Sequence, residues 1–202
     1  MKLFLIVEAV VLVVGLGLAV LRTSRAPALF PLRLLTSVYV DVFRGIPTIL
    51  LVYLVGFGIP ALQLSGLPTD PVVLGGIALG LSYSAYVTEV FRGGINSVHR
   101  GQRDAALAVG LSDGQAMRHV ILPQAVRRVP LPLLNDFVAL QKDVALVSIL
   151  GPQEAFRVAQ IIQGQTFNYT PLIAAALLYL AITVPLARVV ERMGGGPEGV
   201  VR

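Results

Sequence analysis

Cysteine is absent from this 202-residue chain, which excludes disulfides, thiolate metal sites and cysteine nucleophiles at once. Histidine occurs only at positions 99 and 119, so no histidine metal cluster can form. Lysine is confined to Lys2 and Lys142 and no Gly-x-x-x-x-Gly-Lys-Ser/Thr run occurs, so the chain has no phosphate loop with which to hydrolyse ATP. Charge is scarce as well: charged residues are 13% of the chain against 55% hydrophobic. With a mean hydropathy of +0.80, that is too much apolar surface for a chain folding alone in water. The formal charge of +5 does not indicate nucleic acid, because the basic residues alternate with apolar stretches and lack aromatic interleaving. Membrane topology explains them better.

A hydrocarbon core about 30 Å thick requires roughly 20 mostly apolar residues per helical crossing, which leaves room for a handful of crossings and no sizeable soluble domain. The expected fold class is therefore an all-α, polytopic membrane protein forming a single transmembrane domain over residues 1–202. Apolar runs place spans at about 3–21, 46–64, 72–95, 131–150 and 172–190. Lys2 followed by Leu3 to Val14 has the outline of a signal peptide, but the basic region is short and no small-residue cleavage site precedes Arg22. It reads as a retained first span. The fourth span holds Pro130, Pro132, Asn135, Asp136, Gln141, Lys142 and Asp143, so it is expected to face partner helices or a watery path rather than lipid. The last tolerates Pro185, as membrane helices can.

Arginines orient the chain. Arg22, Arg25, Arg33 and Arg44 fall in one connecting segment, and Arg92, Arg100, Arg103, Arg118, Arg127 and Arg128 in another, so both are expected in the cytoplasm. The link from Ser65 to Pro71 has no basic residue, and the stretch from Lys142 to Pro171 balances its charges; both read as external. Five crossings with the N-terminus outside and the C-terminus inside satisfy every segment. Pro27 to Arg44 is amphipathic, with Leu29, Leu32, Leu35 and Val38 at helical spacing, and is expected as an interfacial helix. The glycine-rich tail from Gly194 to Arg202 is expected to be mobile.

The long inner loop, about residues 96–123, is the most informative stretch. A short helix from about Arg100 to Val109 should end at Gly110, which can adopt the left-handed conformation that closes a helix. Ser112 followed by Gln115 has capping-box spacing and should start a second helix running through Arg118 to Pro123. The result is a compact cytoplasmic knob, on which Ala105, Ala106 and Ala108 leave a flat surface for close approach by another protein.

This loop resembles the EAA loop of ABC importer permeases, whose pattern is Glu-Ala-Ala, three residues, Gly, nine residues, Ile, any residue, Leu-Pro. Ala105, Ala106, Gly110, Leu122 and Pro123 match in register, with Asp104 for the Glu and Val120 for the Ile. The amino-acid branch of that family is matched further by the runs Arg44 to Pro47, Ala85 to Ile95, Gly101-Gln102 and Leu122 to Ala125. Two departures stand out. The chain has Lys142-Asp143-Val144-Ala145-Leu146 where the branch resembles Lys-Asp-Thr-Ser-Leu, and it begins without the polar lead that relatives carry before the first span.

The resemblance implies a permease subunit of an ATP-driven importer, multi-pass in the cell (inner) membrane, with polar amino acids as cargo. It implies that the knob sits in a cleft on a separate ABC ATPase, present in two copies, and that the chain pairs with a second permease, as homodimer or heterodimer. An extracytoplasmic solute-binding protein delivers the cargo. ATP and its magnesium belong to the partner ATPase, leaving this chain without a cofactor or a catalytic role. Asp104 would meet a basic group on the ATPase, while Ala105, Ala106, Gly110 and Pro123 shape the contact; the plain alternative for Asp104 is a solvated charge at a helix end.

For a substrate path the candidates are Glu89, Asn135, Asp136, Gln141 and Asp143. Glu89 is expected to pair with Arg92, three residues on, which makes a structural role the simpler reading. The four polar residues of the fourth span offer donors and acceptors to a zwitterionic solute, or hydrogen bonds to neighbouring helices. Gly75, Gly76 and Gly80 form a small-residue face for packing within the chain or against a second copy. Methionine, glycine betaine or another small solute are alternative cargoes. A channel or membrane-embedded enzyme is the rival class, for which only Asp136 and Asp143, seven residues apart, offer a paired constellation.

Overall fold

The computed structural model describes residues 2–194, so the tail expected to be mobile lies outside the described residues except for Gly194. All regular elements among the described residues are helical. Helix α1 (Lys2–Thr23) buries Phe4, Val7, Val11, Gly15 and Ala19, a stripe at three- and four-residue spacing that faces one neighbour. That neighbour is α4 (Pro71–Ser97), the central element. Its start is fixed by Asp70, whose carboxylate accepts from the N–H groups of Val72 and Val73, both at 2.9 Å, with Pro71 in the first turn. Leu3 lies over Gly76 and Val87 over Gly15, so α1 and α4 run parallel and their C-termini share one end of the bundle. A Cβ at Gly15 would stand 2.6 Å from the Val87 side chain, so this close approach requires glycine.

After a short 3-10 turn (Pro27–Leu29), α2 (Phe30–Gly45) leads into α3 (Thr48–Ala61), which contains a π turn at Leu54–Gly58. The two are bent by 103° at Ile46-Pro47. Ile46 is extended because a residue preceding proline is driven out of the helical region. The amphipathic segment is thus a helix, as its spacing predicts, and it packs on α1 and α4 with Thr36 and Val40 buried. The second predicted span, 46–64, differs from expectation. α3 alone covers residues 48–61, about 21 Å at 1.5 Å per residue, which is too short for the bilayer. Only α2 and α3 together carry the chain from the Arg92 end of α4 to the level of Leu74, where Leu51 and Val55 join Leu74 and Ala78 in one core.

Helix α5 (Arg100–Ala108) and helix α6 (residues 113–126, with a π turn at Met117–Ile121) follow α4. Helix α7 (Pro130–Asp143) continues into a 3-10 segment (Val144–Leu150) that ends at Gly151, φ +117°. Val129 packs on Gly94 and Val147 on Gly75, so this polar segment runs antiparallel to α4. The nineteen-residue separation of those glycines corresponds to about 28 Å of helix, close to the hydrocarbon thickness. Gly75 and Gly76 therefore serve packing within the chain, whereas a Cβ at Gly80 would meet nothing within 4 Å.

The stretch read as a plain external link contains a further helix, α8 (Ala155–Thr166), capped by Glu154 through the N–H groups of Phe156 and Arg157. Helix α9 (Thr170–Gly194) carries Pro185 inside it and packs on α7 and α8. By length and apolarity, α1, α4 and α9 suffice to cross a membrane, and the α2–α3 pair brings the number to four. The polar segment 131–150 does not meet that criterion, so composition alone falls one short of the five crossings expected.

Candidate functional site: the helix-bend-helix knob and a polar seam

The knob is built as its sequence dictates. His99 caps α5, its Nδ1 accepting from the Gly101 N–H at 3.1 Å. At the other end the Leu111 N–H donates to the Ala106 carbonyl at 3.1 Å and the Gly110 N–H to Leu107 at 3.0 Å. That pair of bonds is a Schellman closure, which needs a left-handed residue, and Gly110 has φ +90°. Ser112 then opens α6 with the expected reciprocal cap: its hydroxyl accepts from the Gln115 N–H at 3.3 Å, and the Gln115 Oε1 accepts from the Ser112 N–H at 2.9 Å. The helix continues past Pro123 to Val126; a π turn just before Pro123 accommodates the missing N–H.

Two further features make the knob rigid. Arg103 grips Asp113 across the bend, Nη2 to Oδ1 at 2.6 Å and Nε to Oδ1 at 3.2 Å. Met117, Ile121, Ala125 and Val129 share a core with Phe91, Ile95 and Val98 at the end of α4, and the Arg128 guanidinium donates to the Ser97 carbonyl. These contacts fasten the knob to the end of α4 and the start of α7. Asp104, Ala105, Ala108, Gly110 and Pro123 are exposed, and Val109 at the tip is 79% exposed. Asp104 has no side-chain partner among the described residues. Ala106 differs from expectation: it is 5% exposed and turned inward, so it supports the bend rather than the outer surface.

The polar residues of the membrane region divide into two groups. Glu89 is fully engaged: Arg92 Nε and Nη2 donate to its Oε2 at 2.9 and 2.5 Å, and Arg22 from α1 takes its Oε1. It ties α1 to α4, with both carboxylate oxygens bonded to arginine. On α7, Asp143 accepts from the Tyr83 hydroxyl at 2.9 Å, and Gln141 accepts from Thr183 on α9 at 3.1 Å. Asp136 has a buried Oδ2 without a hydrogen-bond partner among the described residues. Asn135, one position before Asp136 and so about 100° round the helix, is exposed. Asp136 and Asp143, seven residues apart on α7, thus lie on one helical face with Tyr83 of α4 bonded to Asp143, while Glu89 and Asn135 stand apart from them and Glu8 lies on α1, which packs on both helices.

Glu8 and Tyr83 were not anticipated. The signal for Glu8 was present, a carboxylate inside an otherwise apolar run, where an ionisable group is expensive unless it has a purpose. Arg22 and Asp113 find partners 67 and 10 positions away, beyond the reach of helical spacing. Among the described residues no three histidines or carboxylates are grouped as a metal ion would require.

Known transport permeases resemble this chain over most of its length. The arginine transport system permease protein ArtQ of Bacillus subtilis is 34% identical over 93% of this chain and 85% of that protein. The putative glutamine transport system permease protein GlnP of Rickettsia felis is 35% identical over 90% of this chain and 83% of that one. A crystal structure of an amino acid ABC transporter with histidines superposes with a TM-score of 0.81 at 32% identity, covering 95% of this chain and 87% of that chain. Residues 10–194 match the binding-protein-dependent transport system inner membrane component family, and the chain belongs to that family of transport permeases.

Proposed function

We propose that this permease carries polar amino acids inward, driven by two copies of a separate ATPase that grip the exposed face of the α5–α6 knob. The observation that carries the reading is the knob itself. It is a rigid, capped, charge-stapled lever rooted in the end of α4, with Asp104 unpaired among the described residues on its outer side. ATP and magnesium belong to the partner, and an extracytoplasmic binding protein delivers the solute. The chain works beside a second permease, a copy of itself or a relative.

Five crossings complete the topology, with the broken α2–α3 pair and the polar α7 segment as the second and fourth. Parallel α1 and α4, with the arginine-rich connections at their shared end, support an outside N-terminus and a cytoplasmic C-terminus. Along the polar seam of α7, Asp136 and Asp143 offer acceptors to the ammonium group of an amino acid, and the exposed Asn135 and half-buried Gln141 add polar surface on other sides of the helix. Glu89, held by two arginines, is assigned a structural role.

The experiment is uptake of labelled arginine and glutamine into proteoliposomes holding the permease, an ATPase and a binding protein encoded beside it. The expected result is ATP-dependent accumulation that needs all three components. Solute flux or ion current through the purified permease alone would overturn the reading in favour of a channel.

A further inference from the structure

An open cavity of about 790 Å³ lies at the end of the bundle where α1 and α4 both terminate, between the start of α2 and the start of α5. It is lined by Arg22, Arg25, Arg33, Arg92, Arg100 and Arg103, and no carboxylate lines it. Among the described residues, the carboxylates paired with these arginines are two: Glu89 serves Arg22 and Arg92, and Asp113 serves Arg103. Six guanidinium charges set against two carboxylates leave the cavity strongly positive. Arg25 and Arg100 are exposed and have no side-chain partner among the described residues, while Arg33 is held by the Ser24 carbonyl at 2.6 Å and lies 5.7 Å over the Phe30 ring.

We propose that this cavity binds the headgroup of an anionic phospholipid from the leaflet on the knob side. Three features select a lipid over a soluble anion. The volume falls within the range of ligand pockets, roughly 300–1,000 Å³, and far exceeds what one phosphate fills. The wall is amphiphilic, since Phe30 and Leu34 of α2 line it beside the arginines. From that wall an exposed apolar strip, Leu34, Leu35, Val38 and Val42, continues along α2, where acyl chains would lie. Guanidinium groups grouped at a membrane surface attract acidic headgroups, each contributing about a fivefold gain in affinity. The bound headgroup would tie α1, α2 and α4 to the root of the knob. The proposal rests on the membrane placement of the bundle and not on the cargo.

The test is native mass spectrometry of the full chain in mild detergent, titrated with phosphatidylglycerol or with phosphatidylcholine of the same acyl chains. Wild type is expected to retain phosphatidylglycerol selectively, and the Arg25→Gln/Arg100→Gln double variant to bind it about thirtyfold more weakly. Arg118→Gln/Arg127→Gln, which removes equal charge outside the cavity, should retain it, as should Arg25→Lys/Arg100→Lys. Equal retention of the two lipids by wild type overturns the proposal without any variant. So does equal loss in both glutamine pairs, which indicates diffuse charge, or full displacement by inorganic phosphate, which indicates a soluble-anion site. Complete loss of the lipid when the ATPase is bound would assign the cavity to that protein instead.

Discussion

Substitution of Gly110 isolates the geometry of the knob from its chemistry. A Cβ at this position would meet nothing within 4 Å, so any effect comes from the backbone alone. Gly110 sits at φ +90° and donates to the Leu107 carbonyl at 3.0 Å. Asparagine visits the left-handed region most readily among other residues, so Gly110→Asn should cost least. Alanine there costs about 1–2 kcal/mol. Proline fixes φ near −65° and removes the donor, costing about 3 kcal/mol or more. If the ATPase recognises the bent form, its apparent Kd rises in proportion: about five- to thirtyfold for Gly110→Ala and over a hundredfold for Gly110→Pro. The assay measures ATPase binding to permease proteoliposomes alongside uptake, with membrane insertion followed by extraction. Transport should fall in the order Asn, Ala, Pro while insertion stays normal. Equal binding by all three variants, or an Asn variant as impaired as Pro, would refute the reasoning.

Other substitutions probe the supports. Arg103→Ala and Asp113→Ala should each loosen the bend, with a double-mutant coupling of about 0.2–1 kcal/mol because Asp113 is exposed; thermal unfolding of the purified permease measures it. Gly94→Ala should destabilise by about 1–3 kcal/mol, since its Cβ would press on Val129 and the Ala125 carbonyl, while Gly80→Ala should be neutral; a comparison of melting temperatures decides. Glu89→Gln should lower stability more than Arg92→Gln because it strands both Arg22 and Arg92, whereas a substrate role for Glu89 would show instead as altered cargo affinity at unchanged stability. Tyr83→Phe should cost about 1–2 kcal/mol by leaving the Asp143 oxygen without its donor.

What the sequence discloses and what it conceals follow from the range of the interactions. The knob was legible in detail because Gly110, Ser112 and Gln115 lie within five positions of one another, and the Glu89–Arg92 pair lies on one helical face. The apolar runs located α1, α4 and α9 by length. The bend at Ile46-Pro47 was signalled by the proline, but its 103° angle depends on packing against α4 and could not be read locally. Helix α8 is hard to read from sequence because its 12 residues are too short for a crossing, and its cap, Glu154, looks in isolation like a balancing charge. Ala106 shows the limit of motif reading: the register is right, yet the fold turns that side chain inward. Tyr83 meets Asp143 only because α7 packs antiparallel on α4, which no spacing along the chain expresses.

The absence of cysteine permits the most direct test of the lever. A single Val109→Cys replacement at the tip places one thiol in an otherwise thiol-free chain. It should react with a membrane-impermeant maleimide in inside-out vesicles but not in intact cells, and the bound ATPase should shield it. Labelling of that thiol in intact cells, or reactivity indifferent to the ATPase, would contradict the account.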